Sequence, residues 1–182
     1  VSAPHLAAPA AAPLADTAAL QAEAAAARDL QQHEEQRDEC SFFFVSADYV
    51  RSSTLTSLPS FQELQRIDGA LMKRTLSAAE AYYGSYAKHL LAVSHRWERM
   101  TEPDIEGVQM RAIQAYLTKN PHIEGVWYDF SCMPQDGRRL EERKAKTTPD
   151  TRTPAELVAF KWMLSNVNRL YLGCSVLLLV DI

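Results

Sequence analysis

Cysteine is scarce in this chain and badly placed for cross-linking. Its three residues, Cys40, Cys132 and Cys174, are odd in number, far apart and free of any CxxC pair. That spacing argues against a disulfide framework and against a structural zinc site, and it suits a reducing, cytoplasmic compartment. Basic charge is lacking too. The formal charge of −4 over 182 residues leaves no field to hold a nucleic-acid backbone. The longest basic cluster, "RRLEERKAK" at 138–146, is interrupted by Glu141 and Glu142 and reads as a solvated loop or helix face. No apolar run approaches the roughly 20 residues that a bilayer crossing needs, so no membrane span is expected. The opening residues lack the basic region of a secretory signal. There is no Gly-rich phosphate loop, which removes support for ordinary Rossmann dinucleotide binding. The chain begins with Val and ends within an apolar run, and it is read as a segment of a longer protein.

What is present falls into three stretches. Residues 1–40 comprise an Ala/Pro-rich linker to about residue 15 and then a helix rich in Ala, Glu, Gln and Arg. Leu20 and Leu30 are that helix's only large apolar residues, so it is expected to be a solvent-exposed lead-in. Residues 41–88 read as a helical preface. Its start, "SFFFVSADYV", suits a short buried strand or an apolar anchor. A helix capped by Ser57 follows, with Phe61, Leu64, Ile67 and Leu71 at near-helical spacing, and another spans Ser77 to Tyr86.

From residue 89 the pattern alternates. "LLAVSHRW" is a strand, and a helix with Met110, Ile113 and Leu117 on one face ends at Asn120-Pro121. "EGVWYDFSC" is a second strand. A second helix carries Leu157, Phe160, Leu164, Val167 and Tyr171 at spacings of 3, 4, 3 and 4, and "CSVLLLVDI" is a third strand apolar enough for burial on both faces. Strand, helix, strand, helix, strand implies an α/β fold, an open parallel sheet with right-handed crossovers.

In such a sheet ligands gather beyond the carboxyl ends of the strands. Ser94, His95, Arg96 and Trp97 leave the first strand there, Asp129 to Gln135 the second, and Asp181 ends the third. The ligand-pocket candidates are therefore Ser94, His95, Arg96, Trp97, Asp129, Cys132 and Gln135. His95 could serve as a general base or simply bond a neighbouring loop. Arg96 could fork a phosphate or carboxylate, or form an exposed ion pair. Trp97 and Trp127 could stack on a ring, although Trp127 lies within a strand and suits packing. Asp129, at the end of an apolar strand, must find donors, and loop amides or His95 are the nearest. Cys132 could be a nucleophile paired with His95 or a buried small hydrophobe. Glu156 is a third catalytic candidate, but "TPAE" at 153–156 is also a capping box. Glu98, Glu102, Asp104 and Glu106 lack a His partner and read as solvated acids favourable to the helix that begins there, so no metal is expected.

"LLAVSHRW", "VWYDFSCMPQD" and the later "LYLGCSVLLLV" together resemble the fungal heterokaryon-incompatibility (HET) domain over about residues 90–182. Ser94 and Trp97 match its first motif, with Glu98 where the family usually has Gly. Trp127, Asp129, Cys132 and Gln135 match its second. The family is similar to TIR domains, so the resemblance implies an incomplete flavodoxin-like sheet and a signalling or immunity-type module with protein partners or self-association. It also implies NAD⁺ as a candidate substrate, with no certain cofactor. In TIR-type NAD⁺ hydrolases the catalytic Glu follows the strand matched here to 175–182, which would put it past Ile182. The alternatives are a non-enzymatic interaction or scaffold domain and a Cys-His hydrolase using His95 and Cys132.

Overall fold

A computed structural model describes residues 15–99, 102–146 and 148–180. Residues 1–14 of the Ala/Pro-rich linker, and Asp181, lie outside the described residues. In chain order the elements are α1 (Ala15–Gln36), β1 (Glu39–Ser46), α2 (Ala47–Ser52), α3 (Phe61–Leu64), β2 (Leu71–Ser77), α4 (Ala78–Tyr82) and β3 (Leu90–His95). They continue with α5 (Val108–Lys119), β4 (Gly125–Trp127), α6 (Asp129–Cys132), α7 (Leu140–Ala145), α8 (Pro154–Ser165), α9 (Asn168–Gly173) and β5 (Ser175–Leu179).

The fold is α/β, with five strands in the order β2-β1-β4-β3-β5 and helices flanking them. The three strands expected from the alternating pattern do pair in parallel: Ala92 of β3 stands beside Trp127 of β4 on one side and Val176 of β5 on the other. The sheet is mixed rather than wholly parallel. β1 runs antiparallel to β4, with Val45 beside Val126, and antiparallel to β2, with Phe42 beside Arg74.

The preface at 41–88 therefore needs correction. It contributes two strands, β1 and β2, to the same sheet as residues 89 onward. The helix expected from Ser57 to Leu71 is a single turn, capped by Ser60, whose amide bonds Glu63 Oε2 at 2.8 Å. The helical turn ends at Leu64, and Asp68 and Gly69 then turn the chain into β2, with Gly69 at φ of +70° in left-handed geometry. That Asp-Gly step, followed by the extended run Leu71–Leu76, is the signal that helical spacing masked.

Other expectations shift for local reasons. α1 is not a bare lead-in, because it lies against α8 with Ala24 and Glu34 buried. β4 stops at Trp127, since Asp129 accepts the Phe130 amide at 2.6 Å and starts a helical turn in place of further strand. The long helix after residue 153 breaks at Asn166, whose side chain bonds back to the Trp162 carbonyl at 2.9 Å and receives Arg169 Nε at 3.0 Å. The break turns Met163 and Leu170 inward and leaves Leu164 and Tyr171 exposed, unlike the even face the spacing implied. β5, expected to be buried on both faces, is an edge among the described strands, with Val176 and Leu178 exposed. The expected helix face of Met110, Ile113 and Leu117 is fully buried on the core.

Candidate functional site

His95 is the last residue of β3, and its side chain is 2% exposed. Its Nε2 lies 2.9 Å from Asp129 Oδ1, across the gap from the end of β3 to the start of α6. Trp97 donates its indole N–H to the same carboxylate, at 2.9 Å from Oδ2 and 3.2 Å from Oδ1. With the Phe130 amide, Asp129 thus gathers three donors, which is how a carboxylate at the edge of an apolar core is made tolerable. The imidazole is stacked on Tyr128, with ring centroids 4.0 Å apart, and more loosely on Trp97 at 6.4 Å. With Nε2 facing the carboxylate, the other ring nitrogen, Nδ1, is buried without a hydrogen-bond partner.

Aromatic residues close the cluster. Tyr128 donates its hydroxyl to Gln109 Oε1 at 2.9 Å, and burial drives its phenol well above the ordinary value. Gln109 in turn donates to the carbonyls of Arg96 and Pro103, tying the segment after β3 to α5. Tyr171 stands beside Ser94 and edge-on to Trp127; its phenol is raised by burial first and by the Asp129 charge second. Phe130 meets Trp97 edge-on at 5.6 Å. Arg96 is exposed, and Trp127 is buried in β4 with its indole N–H unpartnered.

The structure does not pair His95 with Cys132. The Cys132 sulfur is fully buried beneath β4, donating to the Val126 carbonyl at 3.5 Å and accepting from the Tyr128 amide at 3.4 Å. Burial pushes its thiol up to about 12, the opposite of what an activated nucleophile needs. The helical turn at Asp129–Cys132 is the physical reason: it brings Asp129 to His95 and folds Cys132 into the core.

Gln135 and Glu156 meet elsewhere. Gln62 of α3 donates to the Gln135 carbonyl at 3.0 Å and to Glu156 Oε1 at 3.4 Å, and all three line a surface cavity of about 430 Å³ with Phe130 and Arg143. Glu156 Oε2 accepts the Thr153 amide at 2.7 Å, and Thr153 Oγ1 accepts the Glu156 amide at 3.2 Å, completing the capping box. On the other side of Phe130 a second cavity of about 410 Å³ is walled by Leu55, Leu58, Pro103, Asp104 and Ile105. Asp104, read as solvated, is buried and accepts the amides of Gln109 and Met110 at 3.0 and 2.7 Å, so it does support the start of α5 but from within. His95 and Cys132 line neither cavity. Among the described residues no group of three or more His, Cys, Asp or Glu could hold a metal ion. No described helix is long and apolar enough to cross a membrane.

Sequence reasoning missed Gln62, Phe130, Tyr128 and Tyr171. Phe130 and Tyr128 flank Asp129 in the motif and could have been suspected from that alone. Gln62 and Tyr171 lie on elements whose placement no local pattern gives. Compared with family models, curated proteins and solved structures, the chain matches none.

Proposed function

We propose that the chain is a HET/TIR-like signalling or immunity-type module, working in a reducing cytoplasmic setting, whose output is protein contact. The observation that carries this reading is the edge strand β5. Val176, Leu178 and Val180 are 39%, 64% and 68% exposed there, and residues 175–180 carry no charge. Natural edges are commonly guarded by charge, as β2 is by Lys73 and Arg74; among the described strands β5 is unguarded and apolar, which suits pairing with a further strand, and the reading takes that strand from another protein. The strand-end cluster fits a supporting role. His95 and Trp97 both bond Asp129 and so tie the end of β3 to the start of α6. Sedimentation of the wild-type chain is expected to show concentration-dependent association, with Leu178→Lys shifting it at least tenfold toward monomer. A wild-type chain that stays monomeric at every concentration, and binds no protein through this edge, removes the reading.

A second reading, NAD⁺ cleavage, is supported by the Asp129-oriented imidazole at the carboxyl edge of parallel strands and, separately, by a cavity that holds Gln135 and Glu156 and is lined by Phe130, the residue after Asp129. Nicotinamide release from NAD⁺ by full-length protein, in monomeric and assembled states, tests it. A Cys-His hydrolase has no comparable support, given where the Cys132 sulfur lies.

A further inference from the structure

We propose that α1 is a displaceable strap, and that the groove beneath it docks an amphipathic helix from another protein. The residues of α1 that turn inward are Leu20, Ala24, Ala27, Gln31 and Glu34, spaced 4, 3, 4 and 3 as in a coiled-coil seam. Such seams hold through large side chains, yet here only Leu20 is large, and only Ala24 and Glu34 are buried. The floor is of another kind. Phe43 of β1 and Val158, Ala159, Trp162 and Met163 of α8 form an apolar trough.

Strap and trough do not match in size. A crevice of about 70 Å³, open on one side where the half-exposed Leu30 borders it, remains between them, lined also by Ala27, Gln31 and these floor residues. A helix bearing Leu or Met at the place of Ala27 would fill it. The rim states the second requirement. Glu34 Oε2 accepts the Trp162 indole N–H at 2.6 Å and the Ser41 amide at 3.1 Å, with Lys73 on the same rim. These donors and the lysine call for an acid seven residues after the large side chain, on the same face. The occupant is thus an acidic amphipathic helix with a bulkier seam than α1.

Release strands no polar group, and the apolar trough that it uncovers is covered again by the incoming helix. When α1 lifts, the carboxylate, the indole N–H and the Ser41 amide all meet water, so no polar group is left buried without a partner. The hinge is the two-residue turn Arg37–Asp38, where Asp38 has φ of +54° and is pinned by Arg169 Nη2 at 2.9 Å. β1 is held along Glu39–Val45 by its ladder to β2, and at Val45 and Ser46 by β4 as well, and has no need to follow.

Hydrogen exchange on the full chain tests the proposal, with a synthetic peptide of residues 15–36 carrying Ala27→Leu as the probe. Amides of α1 are expected to exchange at least tenfold faster than those of β1, and Glu34→Ala to widen that gap while, in β1, only the Ser41 amide that Glu34 accepts loses protection. Ala27→Leu placed in the chain itself should narrow it, a readout that survives if Glu34→Ala does not fold. Saturating peptide should raise α1 exchange tenfold further while leaving the strands protected. If α1 and β1 open together, or the peptide does not bind, or the chain instead dimerises by trading α1 between copies, the proposal is overturned.

Discussion

Asp129 holds the end of the sheet together through one carboxylate. Replacing it with Ala would leave the buried His95 Nε2 and the half-buried Trp97 indole N–H without their acceptor. Each such loss costs about 1–3 kcal/mol. Asp129→Ala is expected to lower stability by about 3 kcal/mol in urea unfolding, with a change in Trp97 emission; Asp129→Asn, which keeps one oxygen in place, should lose less. The cysteines make a second residue-scale prediction. Cys40, Cys132 and Cys174 are all buried, and burial raises each thiol to about 12. At pH 8 the native protein should therefore react with a thiol reagent far more slowly than the unfolded chain, which should titrate three groups. Fast reaction of Cys132 alone would revive the nucleophile. Residue chemistry was partly legible in advance: a carboxylate at the end of an apolar strand must find donors, and His95 was one of those named. The fate of Cys132 was not, because it depends on where the strand stops, and one helical turn decides that.

Among the elements, α5 shows how a helix start can depend on a distant segment. Gly107 precedes it with φ of +68°, and a Cβ there would run into the carbonyl oxygen of Thr56. Left-handed backbone and close approach both demand glycine at this position. Gly107→Ala should destabilise the fold by about 2 kcal/mol, measured by thermal or urea unfolding. α5 itself was readable, since Met110, Ile113 and Leu117 recur at helical spacing and Asn120 ends it. α8 was readable at its start, where Thr153, Pro154 and Glu156 form a capping box, and not at its end. Asn166 breaks the helix through side-chain bonds that periodicity does not record. β2 was misread because Leu64, Ile67 and Leu71 fit a helix as well as anything, until the Asp68-Gly69 turn is given its weight.

The molecule as a whole carries an acid-sensitive junction in the segment joining α6 to α8. Burial works against ionised Asp136, but bonds from Arg138 and the charge of Arg143 outweigh it and hold the carboxyl well below the usual range. Asp150 is lowered by its bonds to Arg152, and Glu63 by those from Ser60. A carboxyl whose folded value lies below its unfolded one adds stability above the unfolded value, about 4, and surrenders it as pH falls further. Urea midpoints are expected to be flat from pH 7 to about 5 and to drop below about 4; Arg138→Ala should shrink that drop. The α/β class and the parallel trio were legible because alternation of strand and helix leaves little choice of topology. The antiparallel half was hidden, since nothing local tells a strand that its neighbour comes from the far end of the chain. That arrangement bears on how the protein is made. β1 can zip with nearby β2 early, but its other border waits for Val126, so during synthesis Val45 and Ser46 stand ready beside a missing neighbour. Maturation is thus gated by a late, long-range closure, and a newborn chain stalled before β4 is the species most in need of a chaperone.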